Sequence, residues 1–373
     1  MLSDLMNALP RINAKLGAHT NNATAAQDSL SDLGAFGPNP GALGARVFVP
    51  TEPKPGGALV VVLHGCTQSA AAYDRGSGWS SLAARHGFAL LFPEQVRANN
   101  PNLCFNWFQP GDTARGQGEA ASIAAMVRHM IVHRNIDPAR VFITGLSAGG
   151  AMASVMLATY PELFAGGAII AGLPFAGVAG VPRALDAMRA ATSESGEALA
   201  QRVRAASPHS GRWPTISIWH GTADGTVAVG NADAVARQWT ALHGVSAPSA
   251  VTDVDGHAHR VWRDPRGHVV IEDWRIAGMG HGTPIAADGC GVAGPYMLDA
   301  GISSTRRIAA SWSIAPEVAR LSANQEQSTS AATSKTRTRI LTPEPLPPRR
   351  TDGARPGGIA AVLDAALHRR AKP

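Results

Sequence analysis

Between residues 45 and 312 short, wholly apolar runs alternate with segments of helical spacing. Ala58-Leu59-Val60-Val61-Val62-Leu63 is apolar at every position, and so is Phe88-Ala89-Leu90-Leu91-Phe92. A strand with one wet face would alternate apolar and polar. Unbroken runs of this length suit strands covered on both faces, as in a parallel sheet between helices. Residues 45–49, 141–143, 167–171 and 215–219 read as further strands. Residues 79–86, 118–133, 151–159 and 232–242 carry helical patterns; in 118–133, Ile123, Met126, Val127, Met130 and Ile131 share one face. Alternating strands and helices predict an α/β fold with a mostly parallel sheet and right-handed crossovers. Residues 259–262 and 269–274, joined through Asp264-Pro265-Arg266-Gly267, predict a hairpin. A last helix is drawn near 301–312.

The pattern breaks in three places. Residues 173–213 carry Pro174, Pro182, Pro208 and a helical piece at 185–203, which predicts a partial cap over the C-terminal ends of the strands. Residues 1–44 read as an amphipathic segment (Leu2, Leu5, Met6, Leu9, Ile12 and Leu16, interrupted by Pro10) and then a polar, Gly/Ala/Asn-rich linker. From 316 to 373 Ser, Thr, Gln and Pro dominate up to Pro356, and a short amphipathic helix is drawn at 359–370. Too few apolar groups stand there to offset the entropy of ordering the backbone, so a disordered tail is expected. The domain itself is expected at 45–315.

Charge changes this picture little. The net charge is +6, but residues from Pro316 onward hold ten Arg/Lys and five Asp/Glu, so the basic balance describes the tail. The rest has no basic stripe interleaved with aromatics, and no nucleic-acid partner is expected. No apolar run reaches the roughly 18 residues that a membrane span needs. The first residues lack the charged start and long apolar core of a secretory signal. The three cysteines, Cys66, Cys104 and Cys290, form no Cys-x-x-Cys. His257 and His259 with Asp253 and Asp255 match no zinc spacing, and no phosphate-binding Gly/Lys loop occurs. No metal or cofactor is expected.

The chemistry gathers after the strands. Val141-Phe142-Ile143-Thr144 runs into Gly145-Leu146-Ser147-Ala148-Gly149, a Gly-x-Ser-x-Gly between strand and helix, which predicts a nucleophile elbow at Ser147. Asp224 and His281 each follow a predicted strand, 77 and 57 residues further on. The order Ser, acid, His is that of α/β-hydrolases. A serine hydroxyl needs a base to take its proton, and the imidazole needs a carboxylate to fix its tautomer and stabilise its cation. His281, between Gly280 and Gly282, is the expected base, and Asp224 is preferred to Asp253, Asp255 and Asp273 as the acid. An oxyanion hole is expected from the backbone N–H groups of Ala148 and of Cys66, in the loop after the early strand. Cys66 and Cys104 are either bridged or two buried thiols.

Several stretches together resemble the poly(3-hydroxybutyrate) depolymerase family of esterases. They are Leu63-His64-Gly65-Cys66-Thr67-Gln68, Phe105-Asn106-Trp107-Phe108, Gly145 to Met152, Trp219-His220-Gly221-Thr222-Ala223-Asp224 and Gly280-His281-Gly282. The resemblance spans about 45–312. It implies an α/β-hydrolase fold, a Ser147–His281–Asp224 triad, an ester or polyester substrate, and a substrate cleft lined by Trp107 and Asn106. It also implies an extracellular setting, with a cytoplasmic one as the alternative because no signal is readable. Feruloyl and acetylxylan esterases are similar proteins, so a carbohydrate esterase is the second reading. A catalytically inactive polymer-binding homologue is the third.

Overall fold

The computed structural model describes residues 29–51, 56–287 and 290–316. The amphipathic segment expected at 1–16 and the tail expected beyond 316 lie outside the described residues.

The expected buried strands form the middle of a ten-stranded sheet. In chain order the first strands are β1 (Ser31–Asp32), β2 (Gly44–Phe48), β3 (Gly57–Leu63), β4 (Ala89–Glu94), β5 (Ile136–Leu146), β6 (Gly166–Ile170) and β7 (Thr215–Gly221). They are followed by β8 (Ala250–Val254), β9 (His257–Arg263) and β10 (Val269–Ile276). The order across the sheet is β1-β2-β4-β3-β5-β6-β7-β10-β9-β8. From β4 to β10 every neighbour is parallel. Antiparallel pairs finish both sides: β1 and β2 on one, the β8–β9 hairpin on the other. This is the mostly parallel α/β sheet that the pattern predicts, in the α/β-hydrolase architecture that the resemblance implies.

Helices cover both faces, which is why the strands are apolar throughout. Leu59, Val61 and Leu63 of β3 enter one core with α4 (Gly118–His133) and α5 (Ala148–Thr159). Ala58, Val60 and Val62 enter the other, with α1 (Ala70–Ser77), α2 (Trp79–His86) and α9 (Ser304–Ser311). Ser69 caps α1 by accepting from the N–H of Ala72 at 3.2 Å. Gly78 separates α1 from α2 at φ +75°, and a Cβ there would run into the carbonyl of Cys290. A short α3 (Pro110–Thr113) precedes α4, and α8 (Gly230–His243) packs beside β7 and β10.

Three features differ from the sequence pattern. Residues 29–44, expected as linker, pack on the domain: Leu30, Leu33 and Leu43 are buried and β1 pairs with β2. The cap region holds two helices, α6 (Val181–Arg189) and α7 (Gly196–Ala205), where one piece was expected. A small parallel pair, β11 (Thr283–Ile285) with β12 (Met297–Asp299), has no counterpart in the pattern.

Candidate active site

The expected triad and the Cys66 loop stand past the C-terminal ends of parallel strands: His64 to Gln68 follow β3, Ser147 follows β5, Asp224 follows β7 and His281 follows β10, while Cys104, Asn106 and Trp107 lie further along the loop between β4 and α3. Loops at that rim are where open α/β sheets bind ligands.

Ser147 links β5 directly to α5 with φ +58° and ψ −117°, a conformation that costs a non-glycine residue about 1–3 kcal/mol. Its N–H donates to the carbonyl of Ile170 at 2.9 Å, which ties the turn to β6. The turn is tight enough that a Cβ on Gly149 would strike the carbonyls of Leu63 and His64. The residue is buried, at 3% exposure. Ala148 is the first residue of α5, so its N–H has no acceptor inside the helix.

Asp224 and His281 meet. Asp224 Oδ2 lies 2.7 Å from His281 Nδ1, and Oδ1 accepts from the N–H groups of Thr226 at 2.8 Å and Val227 at 2.9 Å. Beside a carboxylate, Nδ1 carries the ring proton, so Nε2 presents a lone pair. That Nε2 is buried and has no hydrogen-bond partner. The two loops are fastened by Ala223 N–H to Met279 O at 3.0 Å and Gly278 N–H to Thr222 Oγ1 at 2.8 Å. Burial opposes ionisation of Asp224, yet the hydrogen bonds from His220 and His281 outweigh it and hold the carboxyl well below the usual carboxylate range.

Cys66 and Cys104 are joined by a disulfide with Cα atoms 4.2 Å apart. Both line an apolar pocket beside Ser147 and Ala148, with Trp107, Phe108, Leu173, Val181, Ala184, Met188 and Val227. Trp107 therefore stands in the pocket wall. Asn106 is not among the lining residues; its Oδ1 accepts from Asn100 Nδ2 at 3.0 Å and its N–H donates to Glu119 Oε2 at 2.9 Å. His257 bonds to Ala300 O, and His259 stacks on Trp274 at 3.7 Å and pairs with Glu272. Among the described residues no cluster of three or more His, Cys, Asp or Glu is placed to hold a metal ion.

Three contributors escaped the sequence pattern. His220 Nε2 lies 3.3 Å from Asp224 Oδ2 and 2.9 Å from the carbonyl of Val227. The cap helix α6 supplies Val181, Ala184 and Met188 to the pocket. Glu119 is fully buried behind the disulfide loop. Glu119 had left a trace, as a carboxylate four residues before Ile123 on an otherwise apolar helix face. Nothing in the spacing of α6 points at the pocket, because its distance from Ser147 closes only in the fold.

The family model described as "Esterase PHB depolymerase" matches residues 49–256. Poly(3-hydroxyalkanoate) depolymerase C of Paucimonas lemoignei is 44% identical over 283 residues, 74% of this chain and 68% of that protein. Feruloyl esterase B of Talaromyces stipitatus is 31% identical over 270 residues, 69% of this chain and 73% of that protein. An acetyl xylan esterase structure from Aspergillus awamori superposes with a TM-score of 0.62 at 27% identity, covering 68% of this chain and 94% of that one. With the family model over more than half its length and relatives of this identity, the chain belongs to the PHB depolymerase family of esterases and is a carboxylic ester hydrolase.

Proposed function

We propose that this chain is a serine esterase that cleaves short-chain 3-hydroxyalkanoate esters, as polymer or oligomer, through Ser147, His281 and Asp224. The observation that carries this reading is the His281 ring. One nitrogen is held by Asp224, and the other is buried without a partner, with its lone pair free to take a proton. Ser147 Oγ attacks the ester carbonyl as its proton passes to His281 Nε2, and Asp224 stabilises the resulting cation. The N–H groups of Ala148 and Cys66 receive the developing oxyanion; each such donor is worth roughly 100- to 1,000-fold in rate. Collapse expels the alcohol, which takes the proton from His281. Water then attacks the acyl carbonyl as its proton passes to the same nitrogen, the acyl–Oγ bond breaks as His281 returns that proton to Ser147 Oγ, and the acid leaves.

The pocket supports an aliphatic acyl group. Its wall is the Cys66–Cys104 bridge, two aromatic rings and aliphatic side chains, with Ser147 as its polar member. That chemistry fits a short hydroxyalkanoate chain better than a sugar. An ester or polyester in the surroundings of the cell, and hence an extracellular setting, goes with this reading; assay of the culture medium against the cell lysate tests the location.

Hydrolysis of p-nitrophenyl butyrate by wild type and Ser147→Ala tests the mechanism. The variant is expected to lose roughly 1,000-fold or more of kcat; equal rates would remove the triad. Similarity to feruloyl and acetyl xylan esterases favours a carbohydrate esterase as the second reading. Clearing of a polyhydroxybutyrate emulsion is expected. Release of ferulate or acetate from xylan without clearing would select the second reading instead.

A further inference from the structure

Glu119 is a fully buried carboxyl that the triad does not use. It stands on the first turn of α4, and both of its oxygens are taken. Oε1 accepts from Gln95 Nε2 at 2.6 Å, and Oε2 accepts from the N–H of Asn106 at 2.9 Å. Gln95 Nε2 also donates to the carbonyl of Cys104 at 3.0 Å, and Cys104 is bridged to Cys66. Thr67, the residue after Cys66, donates its N–H to Asn102 O at 2.7 Å. Asn102 N–H donates to Asn100 Oδ1 at 2.9 Å, and Asn100 Nδ2 returns to Asn106 Oδ1 at 3.0 Å. These contacts close a ring: Glu119, Gln95, Cys104, Cys66, Thr67, Asn102, Asn100, Asn106 and back to Glu119.

A second strut reaches the same loop. The N–H of Gln95 donates to His64 Nε2 at 3.1 Å, and His64 Nδ1 donates to Gly65 O at 2.8 Å. One nitrogen accepts and the other donates, which fixes a neutral tautomer; burial lowers the pKa of His64 in agreement, outweighing the bond to the Gly65 carbonyl and the charge of Glu94, which raise it. The Gln95 amide cannot turn round, because its Oε1 already accepts from Val96 N–H at 3.0 Å and Asn99 Nδ2 at 3.1 Å. Thr67 sits at φ +65°, a strained conformation for a β-branched residue, and holds only where its surroundings over-determine it.

We propose that Glu119, acting through Gln95 and the Cys104–Cys66 bridge, is a positioning residue that fixes the backbone N–H of Cys66 as an oxyanion donor. This rests on the esterase reading above. An oxyanion donor works only if it is aimed before the reaction begins, and the loop from 64 to 68 has no regular structure to aim it. The ring supplies that rigidity from the helix behind. The Glu119 carboxyl accepts on both oxygens whether ionised or protonated, since a hydroxyl oxygen keeps a lone pair, whereas Glu119→Gln sets an NH2 group, which accepts nothing, against either Asn106 N–H or the Gln95 amide, neither of which can reverse, so the ring opens.

The test measures kcat and KM of wild type and Glu119→Gln on p-nitrophenyl butyrate, with active sites counted by a phosphonate that phosphonylates Ser147. At least a tenfold loss of kcat per titrated site is expected, with KM within about twofold, as for a donor partly lost from the transition state. A purely structural role would lower the melting temperature and the number of titrated sites but leave kcat per site unchanged; that result overturns the proposal. So does a raised KM with unchanged kcat, which would place Glu119 behind the Trp107 wall and not behind the oxyanion donor. If Glu119→Gln does not fold, Asn100→Ala opens the ring on its other side and is judged by the same two numbers. An inactive wild type would sink the esterase reading itself, whereas an active wild type with an unimpaired variant sinks only this inference.

Discussion

Asp224 accepts four hydrogen bonds: two backbone N–H groups on Oδ1, and His281 and His220 on Oδ2. His220 faces two acceptors with one nitrogen, the carboxylate and the carbonyl of Val227, so Nε2 carries a proton shared between them. A long, shared bond of this kind to a charged group is worth about 1 kcal/mol, or roughly fivefold in rate. His220→Phe should therefore lower kcat about fivefold with KM nearly unchanged, and His220→Gln, which keeps a donor, should recover most of it. Equal rates of His220→Phe and wild type would mean that His220 only fills space. Because the Asp224 carboxyl is held far below the usual range, no inflection from it is expected in the pH profile of kcat/KM across the range where the protein stays folded.

At the scale of elements, α6 and α4 do different work. Helix α6 straps the pocket. Gly180, ahead of it, donates to Phe108 O at 2.8 Å, and near its end Met188 O accepts from Ala228 N–H at 2.7 Å while Asn231 Nδ2 donates to Ala187 O at 2.9 Å. The strap thus joins the Trp107 loop to the loop after Asp224, and Met188 lines the apolar pocket. Met188→Ala should raise kcat/KM for p-nitrophenyl octanoate relative to butyrate by roughly tenfold, the discrimination that a methylene or two carries in an apolar pocket; an unchanged ratio would place the acyl chain elsewhere. Helix α4 carries a pH effect instead. Burial, with the nearby charge of Asp112, pushes the Glu119 pKa up to about 8 against the hydrogen bonds that favour its charged form. The folded chain then holds a proton that the unfolded chain releases near 4.5. This contribution is complete below that value and is lost as pH rises toward 8, on the order of a few kcal/mol. The melting temperature of wild type should fall across that window more steeply than that of Glu119→Gln, and parallel slopes would deny the shift. The sequence made α4 legible because its apolar stripe has a helical period. It hid the contribution of α6, because cap packing depends on contacts such as Gly180 with Phe108 that no local period encodes.

For the molecule as a whole, what the sequence revealed follows from what periodicity can encode. Both faces of β3 to β7 are covered, so their runs are mostly apolar, β3 without a break, and stand out; Ser147 and Asp224 follow two of these strands, whereas His281 follows β10, whose run carries Glu272, Asp273 and Arg275 and is marked instead by the glycines on either side of His281. The β8 edge strand, with Thr252 and Asp253 exposed, gives no such signal, and neither do residues 29–44, where Leu30, Leu33 and Leu43 are buried at irregular spacing with Phe36 half-buried beside them. The same interleaving makes a prediction about stability. Strand β3 lies between β4 and β5, and β10 pairs with β7 across an intervening helix and hairpin, so the sheet from β4 to β10 cannot be divided without breaking pairs that carry the site. Tryptophans report both layers: Trp239 and Trp262 lie in the core shared with α4 and α8, and Trp79, Trp219, Trp274 and Trp312 in the core under α1, α2 and α9. On heating, tryptophan fluorescence, far-ultraviolet circular dichroism and esterase activity are expected to fall together in one transition. Two separated transitions, with activity following only one, would mean that the layers are independent units and that the rim of the sheet is not held by the whole of it.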